Sequence, residues 1–190
     1  GAHFFDIDAV SDKTNPSPHM LPTGSMFAEQ MGLLGIGADT EVVIYDTKGL
    51  FSAPRAWWMF RVFGHRSVKV LNGGLPAWLA ADRSTTDAKS PVGVPANPFS
   101  TQYCLEWVAD KDDVAIHLAE DSARVVDARS ASRFAGAEAE PRPGVRPGHM
   151  PGARNVHYAT MTTGEPAVLA PERDLRALFD AVGIDHATPV

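Results

Sequence analysis

Apolar positions along the chain fall into two patterns. The first is brief and β-branched: "EVVIY" (41–45), "SVKVL" (67–71) and "ARVVD" (123–127). Polar or Gly-containing sequence bounds each run, which predicts buried strands. The second pattern recurs every three or four residues. Phe27, Met31 and Leu34 predict a helix over 25–35, with Ser25 as N-cap and Gly35 as C-cap. Trp57, Trp58, Phe60 and Val62 follow Pro54 and predict a helix over 53–63. "GGLPAWLAAD" (73–82) predicts a short helix begun by Pro76, and 108–119 a weakly amphipathic one. "ARNVHY" (153–158) predicts a further short strand. Leu175, Leu178, Phe179 and Val182 share one face of a helix over 171–184 that Gly183 ends. Strand alternating with helix is the signature of an α/β fold with a parallel, wound sheet.

The alternation is interrupted once. "RSTTDAKSPVGVPANPFS" (83–100) has no periodicity and is rich in Ser, Thr, Pro and Ala. It predicts an interdomain linker or an extended wrapping arm. The chain accordingly divides into a first domain at 1–83, a linker at 84–105 and a second domain at 106–190. An internal echo supports two related halves. "GAHFFDIDAV" and "PGARNVHYATM" both place a Gly-Ala turn before a short apolar strand, and "LGIGADTEVVIYD" and "VGIDHATPV" both place Gly-Ile and a turn before a strand. In that register Val190 stands opposite Val42. The counterpart of Asp46 is then expected about four residues beyond Val190. Both ends read as abrupt, as though the first domain lacks its first strand and the second its later part.

Charge narrows the partners. A formal net charge of −6 over 190 residues argues against nucleic acid and anionic membranes, which call for a basic face. No apolar run is long enough to span a bilayer, and the first ten residues carry no signal-peptide core. A single cysteine, Cys104, allows no internal disulfide, so a cytoplasmic location is the default expectation.

Candidate chemistry begins at Asp46, which closes the 42–46 strand just where open α/β sheets bind ligands. Arg133, just after the strand-end Asp127-Ala128-Arg129, and Arg142, in the Pro-rich loop 141–152, are guanidinium groups able to clamp a carboxylate through paired N–H donors. Read by spacing alone, either arginine is as well explained as a solvated surface charge. Asp127 with Arg129 reads as a structural ion pair, and His149 as a loop-bonded histidine. Cys104 follows no strand-to-helix anion loop and reads as a structural thiol. Trp57, Trp58 and Trp78 read as core and interface bulk. The seven histidines show no metal-ligand spacing.

Five stretches, in this order, carry a resemblance: "GAHFFDIDAVSDKTNPSPHMLP", "VIYDTKGLFSAPRAWWMFRVFGH", "VLNGGLPAW", "VVDARSASRFAGAEAEPRPGVRPGHMPGARNV" and "GIDHATPV". The chain resembles the rhodanese-like sulfurtransferases, most closely the tandem-domain members that use 3-mercaptopyruvate. The resemblance implies an α/β fold of two rhodanese-like domains with wound parallel sheets, the first non-catalytic and the second incomplete in this chain. It implies a nucleophilic cysteine beyond Val190, opening a Cys-Gly-Ser-Gly-Val-Thr-Ala-like loop, with Asp46 in the equivalent place of the inactive copy. By the same resemblance Arg133 and Arg142 bind the carboxylate and carbonyl of the donor. Asp8 and His19 match a pair assigned to a proton relay with a serine of the catalytic loop. The implied reaction moves sulfur from 3-mercaptopyruvate, through a cysteine persulfide, to cyanide or a thiol such as thioredoxin, with no metal or organic cofactor. Two alternatives stand beside it: a thiosulfate sulfurtransferase, and a non-catalytic rhodanese-like module that binds a partner or small anion.

Overall fold

A computed structural model of the chain describes residues 2–190. The backbone gathers into two compact units, one up to Val108 and one from Ala109.

In the first unit, α1 (Gly24–Leu33) leads to β1 (Val42–Ile44), α2 (Ala53–Val62), β2 (Val68–Val70) and α3 (Gly74–Ala80). β1 and β2 pair in parallel, Val42 opposite Val68 and Ile44 opposite Val70, with α2 as the crossover. Val42 and Val68 face the core. Val43, the residue between, is 57% exposed, so the strand is buried on one face and not on both as its apolar run suggested. Phe27 and Met31 of α1 and Met59 and Phe60 of α2 meet Phe63, Val10 and Phe99 in one cluster. Phe27 stacks on Phe63 at 4.5 Å and takes the Phe60 ring edge-on at 5.2 Å. Trp57 and Trp58 pack against this cluster, and Trp58 Nε1–H donates to Trp107 O at 2.8 Å. Trp78 departs from the expected burial: it is 40% exposed, its N–H donating to Ser84 O.

Local caps correct two boundaries. Thr23, not Ser25, is the N-cap of α1, because Thr23 Oγ1 accepts from the Met26 N–H and Ser25 already lies inside the first turn. α3 begins at Gly74, two residues before Pro76. Gly73 caps it in the left-handed region (φ 79°), where a side chain would be strained. No strand forms within residues 2–6, and Gly1 of the expected Gly-Ala turn lies outside the described residues.

The Pro-rich arm after α3 packs on the first unit. Ala38 N–H donates to Asn97 O, Gln102 N–H to Phe63 O and Cys104 N–H to Val62 O. Phe99 enters the aromatic core, and Gly37 lies so close to the arm that an added Cβ would stand 2.1 Å from Asn97 O. In the full-length protein Gly37→Ala should therefore cost about 1–3 kcal/mol through overpacking. Gly32→Ala, inside α1 with nothing near its Cβ, should instead gain about 0.5–1 kcal/mol from lost chain entropy. Denaturant midpoints compare the two, and a neutral Gly37→Ala would mean that the arm does not dock tightly.

In the second unit, α4 (Lys111–Glu120) is followed by β3 (Val126–Asp127), α5 (Ala131–Phe134), β4 (Arg154–Asn155), β5 (Thr162–Thr163), β6 (Val168–Leu169) and α6 (Glu172–Asp180). Asp110 and Asp113 form a reciprocal capping box that sets the start of α4. β3 and β4 pair in parallel, Val126 opposite Arg154. The antiparallel pair β5–β6 was not foreseen, because two residues on each side give no readable alternation. Leu175, Leu178 and Phe179 are the half-buried face of α6, as their spacing predicts, while Val182, also half-buried, lies past the helix, which ends at Asp180 and not near Gly183. Residues 185–190 form no strand; a single bond, Arg124 N–H to Pro189 O at 2.8 Å, joins them to the approach of β3.

Candidate functional site

Asp46 stands just past β1, where the chain turns into α2. Its carboxylate is held inside its own loop. Oδ1 accepts from the Lys48 N–H at 2.8 Å. Oδ2 accepts from the N–H groups of Phe51, Ser52 and Ala53 at 2.8, 2.8 and 2.9 Å. These donors are backbone N–H groups of the first turn of α2 and of the loop before it, a natural anion cradle. Burial alone would raise the carboxyl pKa. The four backbone N–H bonds outweigh it and hold Asp46 below the usual carboxylate range. Gly74 (φ 53°) closes the far side, where a Cβ would stand 2.5 Å from Asp46 O. The cradle is thus filled by a side chain of the protein itself.

Asp8 and His19 meet on the same unit. His19 Nε2 lies 2.9 Å from Asp8 Oδ1. Both side chains remain reachable from solvent, at 45% and 73% exposure. His19 is in the left-handed region (φ 60°), and Arg55 from α2 donates to its carbonyl through Nη2 at 2.7 Å. The Arg55 guanidinium lies 4.4 Å over the Trp58 ring. Sequence reasoning missed this arginine, because 36 residues separate it from His19.

In the second unit the carboxylates and arginines after β3 form one network. All three nitrogens of Arg129 are engaged within it. Its Nε donates to both Asp127 oxygens at 3.0 Å, its Nη2 to Asp127 Oδ2 at 2.5 Å and Gly148 O at 2.7 Å, and its Nη1 to Glu140 Oε1 at 2.6 Å. The ion pair expected of Asp127 and Arg129 is therefore present, and it ties β3 to the loop 141–152 through Gly148. Arg129 above all, through its hydrogen bonds, pulls the Asp127 carboxyl below its ordinary range. Arg133, on the last turn of α5, donates through Nε to Glu140 Oε1 at 3.3 Å and through Nη2 to Glu140 Oε2. Among the described residues nothing takes its Nη1. Arg142 is exposed in the following loop, and among the described residues no ion pair holds it. The loop-bonded reading of His149 is met by its Nδ1, which bonds Phe134 O at 2.7 Å, and by its ring, which stacks on Phe134 at 3.6 Å. Cys104 is half-buried beside Gln102 O, away from any anion cradle. Among the described residues no His, Cys, Asp and Glu cluster could hold a metal, and no helix is long and apolar enough to cross a membrane.

These features define a class: a parallel α/β protein with an anion-cradling loop at a strand end. Residues 1–81 match the Rhodanese-like domain family. The chain is 44% identical over its whole length to 3-mercaptopyruvate sulfurtransferase of Rattus norvegicus and 42% to that of Escherichia coli strain K12. It superposes on the crystal structure of SseA from Escherichia coli, a 3-mercaptopyruvate sulfotransferase of the "Rhodanese" fold. That match has a TM-score of 0.83 and 39% identity over 98% of this chain and 68% of that one. The chain belongs to the rhodanese-like sulfurtransferase family. It spans 64% of the length of the rat relative and 66% of the bacterial one.

Proposed function

We propose that the whole protein is a 3-mercaptopyruvate sulfurtransferase whose nucleophilic cysteine follows Val190. The observation that carries the reading is Arg133. It is the guanidinium of the β3–α5 network that keeps an uncommitted nitrogen, Nη1, with which to meet the carboxylate of an α-keto acid. Arg142, exposed nearby in sequence, supplies a second cation.

In this mechanism a cysteine thiolate attacks the donor sulfur. The new S–S bond forms as the C–S bond breaks, and the departing electron pair goes to the enolate of pyruvate, which then takes up a proton. Asp8 and His19, 2.9 Å apart, are a pair able to pass a proton along their hydrogen bond. An acceptor thiol or cyanide removes the outer sulfur in a second half-reaction, so the kinetics are ping-pong. Asp46 takes no part in the transfer. An anionic carboxylate already fills its cradle and cannot carry a transferable sulfur as a soft thiolate does. Cytoplasmic residence and a protein dithiol such as thioredoxin as acceptor belong to this reading; the single cysteine among these 190 residues, which allows no internal disulfide, supports the first of them.

Initial rates of the full-length protein with 3-mercaptopyruvate and with thiosulfate, together with intact mass after each incubation, test this. The expected result is preference for 3-mercaptopyruvate and a mass gain of one sulfur atom. A wide preference for thiosulfate would make the protein a thiosulfate sulfurtransferase. No mass gain with either donor would leave a non-catalytic binding module, the reading that the filled Asp46 cradle favours for the first unit.

A further inference from the structure

We propose that Glu140 is a positioning residue of the donor site: it grips Arg133 along the Nε–Nη2 edge, so that the arginine meets a carboxylate only with its Nη1 end. The proposal rests on the donor-binding role of Arg133 and adds a residue that acts through it.

The geometry is specific. The Glu140 side chain is 4% exposed, and both of its oxygens are used. Oε1 takes Arg129 Nη1 and Arg133 Nε, and Oε2 takes Arg133 Nη2. Glu140 is thereby pinned from one side by Arg129. Arg129 is itself held by Asp127 and by Gly148 O, with all three of its nitrogens engaged inside the protein, so it acts as a brace for Glu140. Arg133 differs in one respect: its side-on edge, the usual face for a bidentate carboxylate, is occupied from within the protein. What remains is Nη1 and the outward N–H of Nη2, an end-on pair of donors in a fixed direction.

The charges support the same role. Asp127, Arg129, Arg133 and Glu140 sum to zero, so the cluster does not attract an anion by net charge. It supplies orientation, while Arg142, which no ion pair holds among the described residues, supplies attraction. The hydrogen bonds from Arg133, first among several causes, hold the Glu140 carboxyl below its ordinary range, so the grip persists through neutral pH.

The two contributions predict opposite results when the charge of Glu140 is removed. If Glu140 acted only by neutralising Arg133, Glu140→Gln would leave a stronger cation and lower the KM for an anionic donor. If it positions, the freed guanidinium samples other rotamers and the end-on geometry is lost. The expected result in the full-length enzyme is a KM for 3-mercaptopyruvate raised about tenfold with kcat within about twofold, because binding of donor and transition state weakens alike. Pyruvate, titrated calorimetrically, should lose affinity by a similar factor. Should Glu140→Gln not fold, Glu140→Asp keeps the charge but falls one methylene short of bridging both arginines, and the same split is expected of it. A KM that falls or stays within twofold of wild type in the folded variant, whatever the melting temperature does, overturns the proposal. A wild-type enzyme that neither turns over 3-mercaptopyruvate nor binds pyruvate overturns the reading beneath it, and the proposal with it.

Discussion

Replacing Arg133 by alanine will lower kcat/KM for 3-mercaptopyruvate by about 100-fold, the usual consequence of losing a charge-assisted clamp on a substrate carboxylate. Arg133→Lys should recover little of this, about tenfold at most, because an ammonium cannot hold the Glu140 edge and present a second donor in the same plane. The folded state should tolerate the change better than the activity does. Arg129 still bonds Glu140 Oε1 at 2.6 Å, so the buried carboxylate is not left without a cation. Arg129→Ala is the opposite case. It removes the side-chain bonds that tie Asp127 of β3 to Glu140 and to Gly148 O of the loop 141–152, and its effect should be seen first in thermal stability. Steady-state kinetics and melting curves on both variants separate the two roles. An Arg133→Ala enzyme with nearly wild-type kcat/KM would remove this arginine from the donor site.

Replacing Asp46 by alanine will destabilise the first unit by about 2 kcal/mol, since four N–H groups lose a charged acceptor while water partly compensates at the half-buried loop. The pH dependence follows from the direction of the shift. The folded carboxyl titrates below its ordinary range, while in the unfolded chain Asp titrates near about 3.9. The unfolded state therefore binds the proton first as pH falls. The contribution of Asp46 is complete above the unfolded pKa and is lost as pH drops through the lower, folded one. The stability gap between wild type and Asp46→Asn should be flat from about pH 6 to 8 and should close below about pH 4. Acetate or formate added to Asp46→Gly should return part of the lost stability by refilling the cradle. Urea titrations at several pH values measure both effects. A gap that does not change with pH would mean that the carboxylate charge is irrelevant to the loop.

Much of this could be read along the chain. The β1–α2–β2 alternation, the half-buried face of α6 and the position of Asp46 at a strand end all come from residues within one or two turns of each other. Such patterns survive any tertiary arrangement, because side-chain period and backbone preference act locally. The family resemblance pointed to Arg133 and to the Asp8–His19 pair, and the structure brings Asp8 and His19 within 2.9 Å of each other. Burial was less legible. Val43 sits in an apolar run yet is exposed, because only one face of β1 meets the core built by α1 and α2.

The sequence by itself determined the β1–α2–β2 alternation and the helix before it, and that an acid occupies the end of β1. Only the tertiary structure decided that this acid fills its own cradle, that the Pro-rich arm lies against the first unit, and that Glu140 divides itself between Arg129 and Arg133. Each of these depends on loops that bring together residues 7, 58 or 11 positions apart. Closing such a loop is a matter of chain entropy against the few bonds made at its ends, and no local period records the outcome.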